Sequence, residues 1–197
     1  FLNVLDLDIQ NGKIKDFKFT LLPIFSDLIP ENKEMKKYIE DVRLPYLKEL
    51  TRPIATTEET LFRRGNFNGS WDQIICDALI DVKGAQISLS PGFRWGTSVM
   101  PNQTITFDDL MTQTAMTYPE TYARDIKGSE IKLILEDVAD NLFNEDPFLQ
   151  QGGDMVRTGG ISYKIDPKAK IGERITNIVL SKTGEKLDAN KSYKVAG

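Results

Sequence analysis

Histidine is missing from all 197 residues. Imidazole is the commonest transition-metal ligand and the usual base near neutrality. Its absence excludes a Ser-His-Asp triad, a His-based zinc site and a His-bearing dimetal centre within this chain. Chemistry must come from carboxylates, lysine or tyrosine, or from a part of the protein outside this sequence. Cysteine is nearly missing as well. Cys76 stands alone, which leaves no internal disulfide and no multi-cysteine zinc pattern. No run approaches the roughly 20 apolar residues that cross a bilayer, so no membrane contact is expected, and no signal peptide opens the sequence. Positive charge is not in excess. The 25 Lys and Arg against 29 Asp and Glu give a net charge of −4, whereas a nucleic-acid binder needs a basic face.

What is present is an ordinary globular composition, 40% hydrophobic and 27% charged, enough for one domain with additions. Both Phe1 and Gly197 fall inside strand-like runs, which reads as a piece of a longer protein. Residues 1–30 carry alternating apolar positions on either side of Asn11-Gly12, which predicts a β-hairpin. Residues 31–50 follow Pro30 and place Met35, Tyr38, Ile39, Val42 and Leu47 on one helical face, with a kink expected at Pro45. This helix reads as a connector between domains.

Residues 51–197 mix helices and strands without strict βαβ alternation. That predicts an α+β domain: a mixed β-sheet with packed helices, preceded by the hairpin and the connector helix. Ser70 with Gln73 reads as a capping box, Thr106 to Asp109 as a second helix start, and Ser129 as a third. Strands are expected at Ala85 to Leu89, Tyr118 to Asp125, Ile161 to Ile165, Arg174 to Leu180 and Tyr193 to Ala196.

Three stretches could bind something. In Ser90-Pro91-Gly92-Phe93-Arg94-Trp95-Gly96, glycines let the backbone approach a ligand, and an arginine between aromatics can hold an anion with its planar fork. The alternative is a surface turn. Residues 151–160 hold four glycines around Asp154, Met155 and Arg157. That density reads as a loop rather than a regular element, either wrapping a ligand or closing a hairpin. It lacks the lysine of a phosphate loop and the following helix of a dinucleotide fingerprint. Arg63-Arg64 could bind an anion, but an adjacent pair reads first as a solvated face. Cys76 falls on the apolar face of its helix as a small core residue. The residues alone therefore lead to an α+β domain with two glycine- and arginine-bearing loops and no self-contained catalytic machinery.

The ordered set of motifs resembles the C-terminal domain of the 5′-nucleotidase family. Asn68-Gly69-Ser70-Trp71-Asp72 to Leu79 is similar to that domain's opening helix. Ser90-Pro91-Gly92-Phe93-Arg94 stands where the family has Asn-Gly-Gly-x-Arg. Thr104 to Leu110, Ile161 to Pro167 and Gly172 to Ile175 match later segments. Residues 1–30 then correspond to the end of a metallophosphatase domain. The family clamps a nucleobase between two phenylalanines, and Met116 and Met155 align there instead, which argues against a nucleoside. The glycine loops look like the thiosulfohydrolase branch of the family.

That resemblance implies a periplasmic dimanganese hydrolase that releases sulfate from a cysteine S-thiosulfonate on the SoxY arm of the carrier SoxYZ. The two manganese ions would belong to an N-terminal metallophosphatase domain, and no cofactor is expected on this chain. The resemblance makes Arg94 the catalytic candidate. It assigns substrate contact to Ser90, Gly92, Phe93, Trp95, Met116, Gly153, Asp154, Met155 and Arg157. A nucleotidase or cyclic phosphodiesterase remains the alternative, as does a stand-alone anion-binding or protein-interaction module.

Overall fold

The computed structural model describes residues 1–25, 27–92, 97–114 and 120–197. The chain divides into two units, Phe1–Lys48 and Glu49–Gly197.

In the first unit, strands β1 (Leu2–Gln10) and β2 (Lys13–Leu22) pair antiparallel, with Leu5 opposite Phe19 and Leu7 opposite Phe17. Asn11 and Gly12 turn the chain with φ of 52° and 73°, the doubly left-handed geometry that the Asn-Gly pair tolerates. Helix α1 (Lys33–Arg43) is capped by Asn32, whose side chain accepts from the Met35 N–H at 2.9 Å. At Pro45 the helix is interrupted: it tightens to a 3₁₀ turn over Leu44–Tyr46 before α2 (Leu47–Leu50). No described residue of this unit is buried. The apolar faces of both strands and of α1 are exposed, including Leu5, Phe17, Phe19, Tyr38 and Val42.

The second unit contains β3 (Pro53–Thr56), α3 (Ser70–Lys83), β4 (Ile87–Ser90), β5 (Thr104–Thr106) and α4 (Phe107–Thr114). It continues with β6 (Ala123–Lys127), α5 (Gly128–Phe143), β7 (Arg157–Gly159), β8 (Ile161–Ile165), β9 (Ile175–Leu180) and β10 (Ser192–Ala196). Four strands make a mixed sheet in the order β6-β10-β4-β7. Strand β10 runs parallel to β4 and antiparallel to β6, and β7 is antiparallel to β4. Pairs β3-β5 and β8-β9 are separate two-stranded sheets. The α+β expectation holds. The main core joins Ile87 and Leu89 of β4, Ile131 and Leu135 of α5, Ile175 and Ile178 of β9, and Tyr193 and Val195 of β10. A smaller cluster packs Leu61, Trp71, Val99 and Ile105.

Local details depart from the sequence pattern for physical reasons. Helix α3 is capped one residue earlier than Ser70: the Asp72 carboxylate accepts from the Gly69 N–H at 2.9 Å. The Ser70 hydroxyl instead donates to Thr60 O and accepts from Phe62 N–H, stitching the preceding segment to the helix. Likewise α5 is capped at Lys127, whose N–H donates to Glu130, not at Ser129. At α4 the expected cap forms in full, with Thr106 and Asp109 exchanging hydrogen bonds. Strand β6 begins at Ala123, later than expected, and Tyr118 lies outside the described residues. Residues 157–159, expected as loop, are edge strand β7, because Arg157 to Gly159 find ladder partners in Ser90 to Ser88.

Cys76 is fully enclosed on α3, and burial pushes its thiol up to about 11, only partly offset by its hydrogen bond with Ser88. A thiol reacts as its thiolate. Ellman's reagent at mildly alkaline pH is therefore expected to leave the native chain unlabelled and to titrate one thiol after guanidinium unfolding. Rapid stoichiometric labelling of the folded chain would contradict this burial.

Candidate functional site

The two glycine loops singled out in the sequence meet in the structure. Strand β4 ends at buried Ser90 and turns through Pro91 to Gly92. Across the ladder, Ser90 faces Arg157, the first residue of β7. A side chain added at Gly92 would sit 2.6 Å from Asp154 Cβ and 2.8 Å from Met155 O. The absence of that side chain is what lets the end of β4 pack against the segment leading into β7. Ser90, Gly92, Gly153, Asp154 and Arg157 thus form one neighbourhood. Phe93, Arg94, Trp95 and Met116 lie outside the described residues.

Beneath this neighbourhood is a buried ionic network. Asp72 is fully enclosed, and its Oδ1 accepts from Arg63 Nε at 2.7 Å. Its Oδ2 accepts from Gly69 N–H and lies 3.2 Å from Arg157 Nε, a charge pair without hydrogen-bond alignment. Arg63 is 5% exposed, so the solvated-face expectation for this arginine is corrected. Its guanidinium donates to Gln113 O at 2.6 Å and to Pro91 O at 3.1 Å. Arg157 donates from Nη2 to Gly65 O at 2.8 Å, Arg63 O at 3.3 Å and Asp154 Oδ2 at 3.3 Å. Its Nη1 is buried and meets no acceptor among the described residues.

Two residues expected at a substrate surface are enclosed. Met155 and Arg157 each have 0% exposure. Met155 packs inside the main core, and its neighbour Val156 packs against the same core while also lining a groove. That groove, about 1130 Å³, also meets Trp71, Leu79, Ser90, Pro91, Gln113 and Tyr122. Gly153 is exposed, with φ of 95°.

The sequence pattern does not announce Phe148, yet its ring is 94% exposed. The turn that presents it is braced. Asn144 Oδ1 accepts from Asp146 N–H, Asp146 Oδ1 accepts from Phe148 N–H, and Gln150 donates to Asn144 O. The signal available in the sequence is the Asn-x-Asp spacing of consecutive side-chain turns. Among the described residues no three His, Cys, Asp or Glu lie together so as to hold a metal ion. A manganese pair needs several carboxylate or imidazole donors converging on each ion, and the described residues bring no such set together. No described helix is long and apolar enough to cross a membrane.

The family model for the 5′-nucleotidase C-terminal domain matches residues 53–197. The chain belongs to that family. Among solved structures, this family member is similar to the sulfate thiohydrolase SoxB of Thermus thermophilus, with 35% identity and a TM-score of 0.87 over 98% of the chain. It is also similar to a 5′-nucleotidase precursor from the same species, at 20% identity and a TM-score of 0.72 over 98% of the chain. The NAD nucleotidase of Haemophilus influenzae shares the fold at 18% identity and a TM-score of 0.61 over 84%. The 5′-nucleotidase-family chain described here spans 35%, 39% and 31% of those three proteins, respectively. No curated protein matches it.

Proposed function

We propose that this chain is the substrate-recognition part of a SoxB-type hydrolase that releases sulfate from a cysteine S-thiosulfonate carried by SoxYZ in the periplasm. The observation that carries the reading is the 35% identity and 0.87 TM-score to a sulfate thiohydrolase, against 20% and 0.72 for a nucleotidase. In the reaction, water adds to the terminal sulfonate sulfur and its bond to the neighbouring sulfur breaks. Sulfate leaves, and the carrier keeps a persulfide. The two manganese ions that would activate the water belong to a metallophosphatase domain of the longer protein. The exposed apolar side chains of β1, β2 and α1 support a further domain packing there.

This chain's part is to orient the sulfonate. Gly153, exposed and with open space around it, leaves backbone within reach of a ligand, and Arg94, two residues beyond Gly92, is proposed to hold the sulfonate oxygens with its fork. Charge builds on those oxygens as sulfate departs, so a fixed cation stabilises the transition state above the ground state. The test is sulfate release by the intact hydrolase from thiosulfonate-loaded carrier, beside phosphate release from AMP. Sulfate release is expected, with Arg94→Ala lowering it roughly 100–1000-fold, as for loss of an oxyanion donor. Phosphate from AMP without sulfate from the carrier would replace this reading with the nucleotidase one.

A further inference from the structure

Buried ion pairs add little net stability over apolar packing of the same volume. The enclosed network of Arg63, Asp72, Asp154 and Arg157 therefore calls for another explanation, and its acceptors supply one. Asp72 holds Arg63 through Nε at 2.7 Å and lies against Arg157 Nε at 3.2 Å. The far ends of the two guanidiniums then grip backbone at places far apart in sequence. Arg63 reaches Pro91 O, just past β4, and Gln113 O, at the end of α4. Arg157 reaches Gly65 O in the turn before α3 and the Asp154 carboxylate in the segment before β7. Gln113, 1% exposed, continues the chain of contacts by donating to Thr97 O at 2.9 Å. Gly92 is pressed between these grips, against Asp154 and the Arg157 guanidinium.

We infer that Asp72, Arg63 and Arg157 are positioning residues: a buried charge clamp, with Asp72 as its hub, that fixes the Pro91–Gly92, Gln113 and Asp154 segments relative to one another. The inference rests on the hydrolase reading for its effect on turnover, but not for its effect on the segments themselves. Arg157 acts on the reaction through the backbone it holds, because its side chain is enclosed and its Nη2 donors are committed to Arg63, Gly65 and Asp154. The planar fork is essential to Arg63, whose Nε, Nη1 and Nη2 each donate to a different acceptor, while Arg157 needs the breadth of the guanidinium to lie against Asp72 at Nε and donate from Nη2. A lysine keeps the charge but cannot span two acceptors in fixed directions. Misplacing a reacting group by about 1 Å can cost on the order of 100-fold in rate.

The experiment uses the intact hydrolase with Asp72→Asn, Arg63→Lys and Arg157→Lys, each followed by hydrogen exchange and by turnover of thiosulfonate-loaded carrier. Amides at Gly92, Thr114 and Met155 are expected to exchange at least about tenfold faster, while those of Ile131 to Ala139 in α5 keep their protection. Turnover of the folded variants is expected to fall about 10–100-fold, mainly in kcat, with Arg63→Lys no better than Asp72→Asn. Should Asp72→Asn not fold, the two lysine variants carry the test. Unchanged local exchange with wild-type turnover would overturn the clamp. So would a uniform rise in exchange across α5 and the clamped segments with full activity per folded molecule, which marks a stabilising role only. If the carrier is not a substrate at all, turnover is read with AMP instead. Local exchange then judges the clamp separately from the reaction assigned to it.

Discussion

Gly160→Val is expected to lower the stability of the Glu49–Gly197 unit by about 3–5 kcal/mol, among the largest effects of any single substitution. Gly160 links β7 to β8 with φ of +75°. Two penalties coincide there. A β-branched residue in the left-handed region costs about 1–2 kcal/mol, and the added Cβ would overlap the Gln86 carbonyl oxygen and lie 3.2 Å from Ile80 Cδ1. The Gln86 oxygen belongs to backbone leading into β4, so it cannot rotate aside. Relief requires β7 to move off β4, and with it Arg157. Gly184→Ala separates the two penalties, since Gly184 has φ of +72° but open space around it; about 1 kcal/mol is expected there. Urea midpoints measure both. For Gly160→Val the melting temperature should fall by about 10 °C or more. Similar small losses at the two positions would show that the contact with Gln86 relaxes at little cost.

Glu136→Ala is expected to be nearly as damaging, at about 2–5 kcal/mol, although the residue is charged and sits mid-helix in α5. Its carboxylate is 2% exposed and serves as a common acceptor for one turn of chain. Oε2 accepts from Gly172 N–H at 2.9 Å and Arg174 N–H at 3.2 Å, and Oε1 accepts from Ile175 N–H at 2.8 Å. Removing it strands the Arg174 and Ile175 donors, both in buried residues, where each unsatisfied group costs about 1–3 kcal/mol. Gly172 is exposed and recovers water. Arg174 is also tied to Asp140, whose carboxyl the Arg174 hydrogen bond, helped by that of Asn144, holds below the usual carboxylate range. That tie keeps the turn in place but cannot replace the acceptors. Glu136→Gln retains one oxygen and should lose about half as much. The readout is the urea midpoint together with amide exchange at Arg174 and Ile175. If Glu136→Ala melts with the parent, water reaches those donors and the carboxylate is dispensable.

How far the fold is legible depends on how local its cause is. The Asn11-Gly12 turn, the Thr106–Asp109 cap and the interruption of the helix at Pro45 each follow from residues within one turn of chain. Strand β7 is hidden because its glycines signal a loop, while its ladder to Ser88–Ser90 comes from nearly seventy residues away. Arg63 misleads for the same reason. Adjacent arginines look solvated until Asp72, Pro91 and Gln113 are brought around one of them by the fold. The 90–92 and 153–157 segments read only as two separate loops, since nothing in spacing shows that Gly92 packs on Asp154.

Strand β10 occupies an interior place in its sheet, between β6 and β4, yet it is the latest of the four in sequence. A ribosome has made β4 long before residues 192–196 emerge. At elongation rates of about 5–20 residues per second, that interval is on the order of 5–20 s. Through that interval the edge of β4 that β10 will join carries unpaired backbone groups and exposed Ile87, and once β6 is made its edge and Ile126 join it, the kind of surface that recruits stray strands. The nascent chain thus stays open at its centre until almost the whole of this sequence has been translated. A holding chaperone has its natural target there.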